Sequence, residues 1–143
     1  MRDDIRQALA VNRSATLAER TIDITTTGRR SGEPRRIEIV FYRFADSIYL
    51  SGIPGPTPRA WLLNLAAEPH FVVHLKNEVI ADLPAVAAVV TDPAERHRVF
   101  VDFVDFVEAF NERHGPDSPW PTAVLEDWVA RSPLAKVSFE EGD

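Results

Sequence analysis

Thr21-Ile22-Asp23-Ile24-Thr25-Thr26-Thr27-Gly28-Arg29-Arg30-Ser31-Gly32-Glu33-Pro34-Arg35-Arg36-Ile37-Glu38-Ile39-Val40 is the stretch on which the fold turns. Residues 21–28 are β-branched and alternate, the pattern of a half-buried strand with Ile22 and Ile24 on one face and Asp23 and Thr25 on the other. Gly28 to Pro34 then brings together two glycines, a serine and a proline, the composition of a tight connection. Arg35–Phe44 resumes as a long strand, Ala45-Asp46 turns the chain, and Ser47–Gly52 makes a third strand. Three antiparallel strands in succession predict a meander.

Beyond the meander, Pro54, Pro56 and Pro58 stiffen a loop that cannot join a β-ladder. Arg59–Ala67 reads as a short helix, His70–Lys76 as a strand, and Glu78–Leu83 as another. Pro84 predicts a bulge or an edge before Ala85–Thr91. Asp92-Pro93 has the signature of a helix start, and Gly115-Pro116 that of its stop. Between them Val99, Phe100, Phe103, Val104, Phe106, Val107 and Phe110 form a wide apolar stripe opposite Asp102, Asp105 and Glu108. Such a stripe packs on the barrel or on a second subunit. Pro121–Ala130 is a further short helix and Leu134–Phe139 a last strand. On the N-terminal side, Ile5, Leu9 and Leu17 at near-helical spacing predict a helix over residues 3–18. Six or seven short antiparallel strands with a few helices predict a mainly β (α+β) fold, a small antiparallel barrel with flanking helices.

A chain of 143 residues with 45% hydrophobic and 27% charged residues suits one globular domain. It contains no cysteine, which excludes disulfides, thiolate metal sites and a cysteine nucleophile. The net charge of −6 disfavours general nucleic-acid binding. No transmembrane helix or signal peptide is expected, so the protein reads as soluble and cytoplasmic. His70 and His74 share a strand face but stand ~13 Å apart at about 3.3 Å per residue, too far for one metal ion. No metal site is expected, and no Ser-His-Asp nucleophile.

Two segments carry chemistry. Arg29, Arg30, Arg35 and Arg36 cluster at one turn of an acidic chain. Guanidinium forks match phosphate and carboxylate, the glycines allow close backbone approach, and Ser31 and Thr27 add hydroxyls. That set suits a polyanionic tail; taken alone it also suits a solvated charged turn. In the second segment, Trp61 follows the proline loop in the first turn of a helix, where its ring packs beside an aromatic cofactor or into the core. Asn64, one turn on, hydrogen-bonds a heterocycle edge or nearby backbone.

Thr25-Thr26-Thr27-Gly28-Arg29-Arg30-Ser31-Gly32-Glu33-Pro34-Arg35, then Ile48-Tyr49-Leu50-Ser51-Gly52, then Trp61-Leu62-Leu63-Asn64-Leu65 with Glu68-Pro69, together resemble the deazaflavin-dependent nitroreductase and quinone reductase family. That family is similar in fold to the flavin mononucleotide (FMN) split-barrel oxidoreductases. The resemblance covers roughly residues 20–80. It implies one split-barrel domain over 1–143, with an N-terminal helix in 1–19, the barrel core in 20–91, helices in 92–131 and a final strand at 134–139. It implies coenzyme F420, whose tail carries a phosphate and glutamates, as the cofactor, and a quinone, nitro compound or other conjugated electrophile as the small-molecule acceptor.

By the same resemblance, Arg29, Arg30 and Ser31 hold the tail and Arg35 and Arg36 line the groove. Ile37, Glu38, Ile39 and Val40 run beside the ring, Ser51, Gly52, Ile53 and Pro54 form the loop over it, and Ala60, Trp61, Leu62 and Asn64 belong to the closing helix. The chain departs from the pattern at Ile37-Glu38, where nitroreductases of the family often carry Asn-Pro. A carboxylate there alters the charge near the ring or rejects an anionic substrate. Tyr42 and Tyr49 are the only tyrosines, and neither aligns with a substrate-placing role. The alternatives are the same fold holding FMN or a heme-derived ligand, or a non-catalytic cofactor binder. A homodimer sharing the groove is compatible with each.

Overall fold

A computed structural model describes residues 1–11 and 15–140. Six strands close into an antiparallel barrel: β1 (Thr21–Thr27), β2 (Pro34–Phe44), β3 (Ser47–Ser51), β4 (His70–Lys76), β5 (Ile80–Val89) and β6 (Leu134–Phe139). Around the barrel the order is β1-β2-β3-β6-β5-β4, with β4 pairing back onto β1. The helices are α1 (Asp3–Leu9), α2 (Ala60–Ala67), α3 (Pro93–His114) and α4 (Leu125–Arg131).

Strand alternation sorts the side chains. Ile22 and Ile24 of β1, Phe41 of β2, Leu50 of β3, Val73 of β4, Ala85 of β5 and Ala135 of β6 fill the barrel interior. Leu65 of α2 joins them, and α2 packs on β1 and β5. A second apolar cluster lies outside the barrel. Tyr42, Tyr49 and Leu134, on the outer face of β2, β3 and β6, meet Trp128 of α4 and all seven stripe residues of α3. The stripe therefore packs on the barrel. Asp92 caps α3 by accepting from Glu95 N, and Gly115, at φ 54°, ends it.

Three sequence expectations differ from the structure. The first helix ends at Leu9, not near residue 18. Thr16 and Glu19 form a reciprocal capping box that starts a separate 3-10 turn at Ala18–Arg20 (Glu19 N to Thr16 Oγ1 3.1 Å, Thr16 N to Glu19 Oε1 2.9 Å). The expected bulge at Pro84 is absent: β5 runs through it in unbroken register, with Pro84 opposite Val72. The Pro84 carbonyl accepts from Glu140 N. The proline nitrogen points the same way, past the end of β6, where no ladder donor is needed. Finally, α4 is shorter than expected and begins at Leu125.

Candidate functional site

The turn between β1 and β2 is closed by two backbone bonds, Gly28 N to Glu33 O and Gly32 N to Gly28 O, both 2.8 Å. Gly32 has φ 72°, which favours glycine, and a Cβ on Gly28 would stand 2.8 Å from Ser31 Oγ and 3.2 Å from Glu33 O, so a side chain there would displace the Ser31 hydroxyl. Ser31 Oγ accepts from Glu33 N at 3.1 Å and from Arg35 Nη2 at 3.2 Å. Arg29 donates from both its amide and its guanidinium to Asn64 Oδ1, at 3.1 and 3.3 Å. Asn64 Nδ2 in turn donates to Thr26 Oγ1 at 3.2 Å. Asn64 is only 5% exposed, so it is a buried bridge that pins the arginine turn against α2.

The structure brings Arg29, Arg30, Ser31 and Arg35 together at this turn. Among the described residues none of the three guanidinium groups meets a carboxylate; the exposed Glu33 is the turn's own acid. Arg36 does not join them. Alternation turns it to the outer face, where its Nε donates to Asp23 Oδ2 at 2.9 Å. Glu38, on the same face, accepts from Lys76 Nζ, which also donates to Asp23 Oδ1 at 2.7 Å. Two acids and two bases thus neutralise one another across β2, β1 and β4. The Lys76 ammonium, and after it the Arg36 guanidinium, holds the Asp23 carboxyl below the usual carboxylate range. The expectation that all four arginines ring one patch is corrected: neighbouring residues on a strand face opposite ways.

The inner face of β2 changes in cover along its length. Phe41 is 1% exposed, Ile39 and Ile37 are half-buried, and Arg35 is exposed. The barrel therefore opens at its arginine-turn end. Trp61 and Leu62 are half-buried and pack on the same interior core as Ile37 and Ile39. Val40 lies half-buried on the outer face. In the proline loop, Ser51 Oγ donates to Pro133 O at 2.6 Å, which ties the end of β3 to the start of β6. Gly52 and Pro54 are half-buried, while Ile53 and Ala60 are exposed.

Sequence reasoning missed two features. Arg59, the residue before α2, folds back under the loop and donates to Ile53 O; an arginine directly after three prolines was a visible signal. The second is Thr25–His74–Asp82, a line across three strands. Thr25 Oγ1 lies 2.7 Å from His74 Nε2, and His74 Nδ1 lies 2.7 Å from Asp82 Oδ1. No local signal announces this line, because it exists only once β1, β4 and β5 are paired. It has the hydroxyl–imidazole–carboxylate order seen in nucleophile triads, with a threonine in the place of serine. However, Thr25 sits in mid-strand between Arg36 and Val72, where its backbone amide belongs to the sheet rather than to an oxyanion pocket.

Solved structures share this fold. The conserved hypothetical protein Rv2991 from Mycobacterium tuberculosis is 17% identical over 99% of this chain and 82% of its own, with a TM-score of 0.61. A putative pyridoxamine 5'-phosphate oxidase from Listeria innocua is 14% identical over 97% and 93%, at 0.58. The F420-H2 dependent reductase FDR-A is 18% identical over 83% and 94%, at 0.50. These likenesses place the chain among the split barrels. The family model described as F420H(2)-dependent quinone reductase matches residues 3–127, which takes in the arginine turn, the barrel opening and α2. With that match across most of its length, the chain belongs to the F420H(2)-dependent quinone reductase family and is an oxidoreductase.

Proposed function

We propose that the protein binds reduced coenzyme F420 with its anionic tail at the Gly28–Glu33 turn and its ring at the barrel opening, and reduces a quinone or another conjugated electrophile. The observation that carries this reading is the donor set of the turn. Three guanidinium groups lack carboxylate partners, and the amides of Arg30 and Ser31 make no hydrogen bond among the described residues. Free turn amides beside unpaired arginines form an anion cradle. Three such arginines suit a tail with more negative charge than a single phosphate, which favours F420 over FMN.

When bound, the reduced deazaflavin supplies the hydride. This chain's residues hold and orient it. Arg30 and Arg35 grip the tail, while Asn64 fixes the turn against α2. Ile37, Ile39, Trp61 and Leu62 offer an apolar wall that keeps water from the reacting ring. Arg36 and Glu38 face away and cancel their charges against Asp23 and Lys76, so Glu38 brings no unpaired carboxylate to the opening.

Titration of F420 by fluorescence into the wild type, Arg30→Ala and Arg35→Ala tests the reading. Each variant is expected to weaken binding by about 1.5–3 kcal/mol, the range for hydrogen bonds to charged groups. Unchanged affinity in both would remove the turn from the site. An assay with a quinone and a nitroaromatic acceptor then distinguishes a reductase from a cofactor store.

A further inference from the structure

A cleft of about 480 Å³ lies on the proline-loop side of α2, walled by that loop, the end of β5, the start of α3 and the turn from α4 into β6. Two arginines line it without a counter-ion. Arg96 donates to the carbonyls of Val90 (3.1 Å), Val129 (3.0 and 2.8 Å) and Ser132 (2.7 Å), and to no carboxylate among the described residues. Carbonyl dipoles orient a cation but leave its charge in place. Burial pulls Arg96 below the usual arginine value, so its surroundings do not fully repay its lost hydration. Among the described residues, the Arg59 guanidinium hydrogen-bonds only the Ile53 carbonyl. It is packed so closely under the loop that a Cβ on Gly55 would stand 2.6 Å from its Nη1. A third arginine of the cleft, Arg131, is neutralised by Asp127 at 2.6 Å.

An independent observation points to a ligand. Ser132, on the same wall, is 4% exposed, and its hydroxyl has no hydrogen-bond partner among the described residues. Buried hydroxyls are nearly always paired, so an orphan beside two uncompensated guanidinium groups marks a place where an acceptor is missing. Pro58, Leu62 and Pro133 give the wall an apolar part.

We propose that this cleft is a binding site for a small carboxylate with an adjoining apolar portion, with Arg59 and Arg96 facing the carboxylate, Ser132 donating to it, and Pro58, Leu62 and Pro133 covering the apolar portion. The carboxylate comes either from the electron acceptor or from the glutamyl end of the coenzyme. The site shares Leu62 with the proposed ring pocket but none of its polar groups, and it does not need the arginine turn to be correctly assigned.

The test uses the cofactor-free protein, with 2-naphthoate and its neutral isostere 2-naphthamide as probes, followed by calorimetry. The expected result is at least a roughly tenfold preference for the carboxylate, the size of one charge-assisted hydrogen bond. Arg59→Gln is expected to abolish the preference. Ser132→Ala, which removes one oxygen from the wall, is expected to weaken 2-naphthoate roughly threefold. Arg30→Ala leaves it unchanged, which separates this site from the turn. Equal affinity for the two probes, or unchanged naphthoate affinity in both Arg59→Gln and Ser132→Ala, overturns the proposal. In a final arm, displacement of naphthoate by F420 assigns the carboxylate to the coenzyme tail, and simultaneous binding assigns it to the acceptor.

Discussion

The barrel has two outer faces, and the chain treats them in opposite ways. The face of β2, β3 and β6 is roofed by α3 and α4 with aromatic rings: Tyr42 stacks on Phe103 at 4.3 Å, and Phe103 touches Trp128 at 5.4 Å. On the outer face of β1, β4 and β5 no helix of the described residues forms such a roof; α2 meets β1 and β5 through Leu65 at the barrel interior. On that outer face Asp23, Arg36, Lys76 and Glu38 pair by charge, and Thr25, His74 and Asp82 pair by hydrogen bond. The same alternation builds both faces. What differs is whether the outward residue can be covered by an apolar helix or must satisfy itself beside water. A roofed face draws its stability from buried area, while an open face draws specificity of pairing from polar ties that each contribute little.

The largest break in this comparison is Phe103→Ala. Phe103 is buried among Tyr42, Trp120 and Trp128, so its loss leaves a cavity that stacked rings cannot close. A cost of about 3–5 kcal/mol is expected in urea unfolding. Tyr49 sharpens the same contrast. Its hydroxyl donates to Glu95 at 3.0 Å under the roof, and burial first, then that carboxylate, pushes it up to about 12. A raised tyrosine value favours the neutral phenol in the fold. The associated stability is therefore present below the unfolded value near 10 and lost as pH rises through about 12. In Tyr42→Phe, which leaves Tyr49 the only tyrosine, phenolate absorbance should stay flat until that pH while the protein remains folded.

Asn64 stands between the two regimes, buried like a core residue but bonded like a surface one. Asn64→Ala removes the acceptor of the Arg29 amide and guanidinium and the donor to Thr26. It is expected to cost about 1–3 kcal/mol, since a buried polar group loses its partner. It is also expected to loosen F420 binding by releasing the turn from α2. A melt combined with a cofactor titration reads both.

Much of the roofed face was legible in the sequence because its signals are local. The seven-residue stripe of α3, the Asp92 cap and the Gly115 stop lie within one element, and all seven stripe residues are buried as the spacing predicts. The Thr16–Glu19 capping box is also local, and it starts a new turn where apolar spacing alone would continue the first helix. The open face was illegible for a different reason. Asp23 meets Lys76, and Thr25 meets His74, only after β4 closes onto β1 across some fifty residues of chain. At the candidate site the composition of the arginine turn was readable. The direction of Arg36 required strand register, and the role of Asn64 required knowing that α2 docks beside the turn.

The smallest expected effect tests the open face itself. Lys76→Met withdraws the ammonium that Asp23 and Glu38 share and leaves Arg36 to serve Asp23 alone. Because the face is solvated, the loss at neutral pH is expected to be small, as for other exposed ion pairs. Its pH dependence is diagnostic. A carboxyl held below its usual value contributes stability that is complete above the unfolded value, about 3.9, and disappears as pH falls through the lowered folded value. Lys76, raised chiefly by its bond to Asp23, contributes up to its ordinary value of 10.5 and loses that contribution as pH rises beyond it. The gap between wild type and Lys76→Met should therefore be flat from about pH 5 to 9 and close on acidification. Unfolding curves at pH 7 and pH 2 measure that gap. One that stays constant down to pH 2 would mean that Lys76 supports the sheet by packing its methylene stem, and that charge pairing is not what holds the unroofed face.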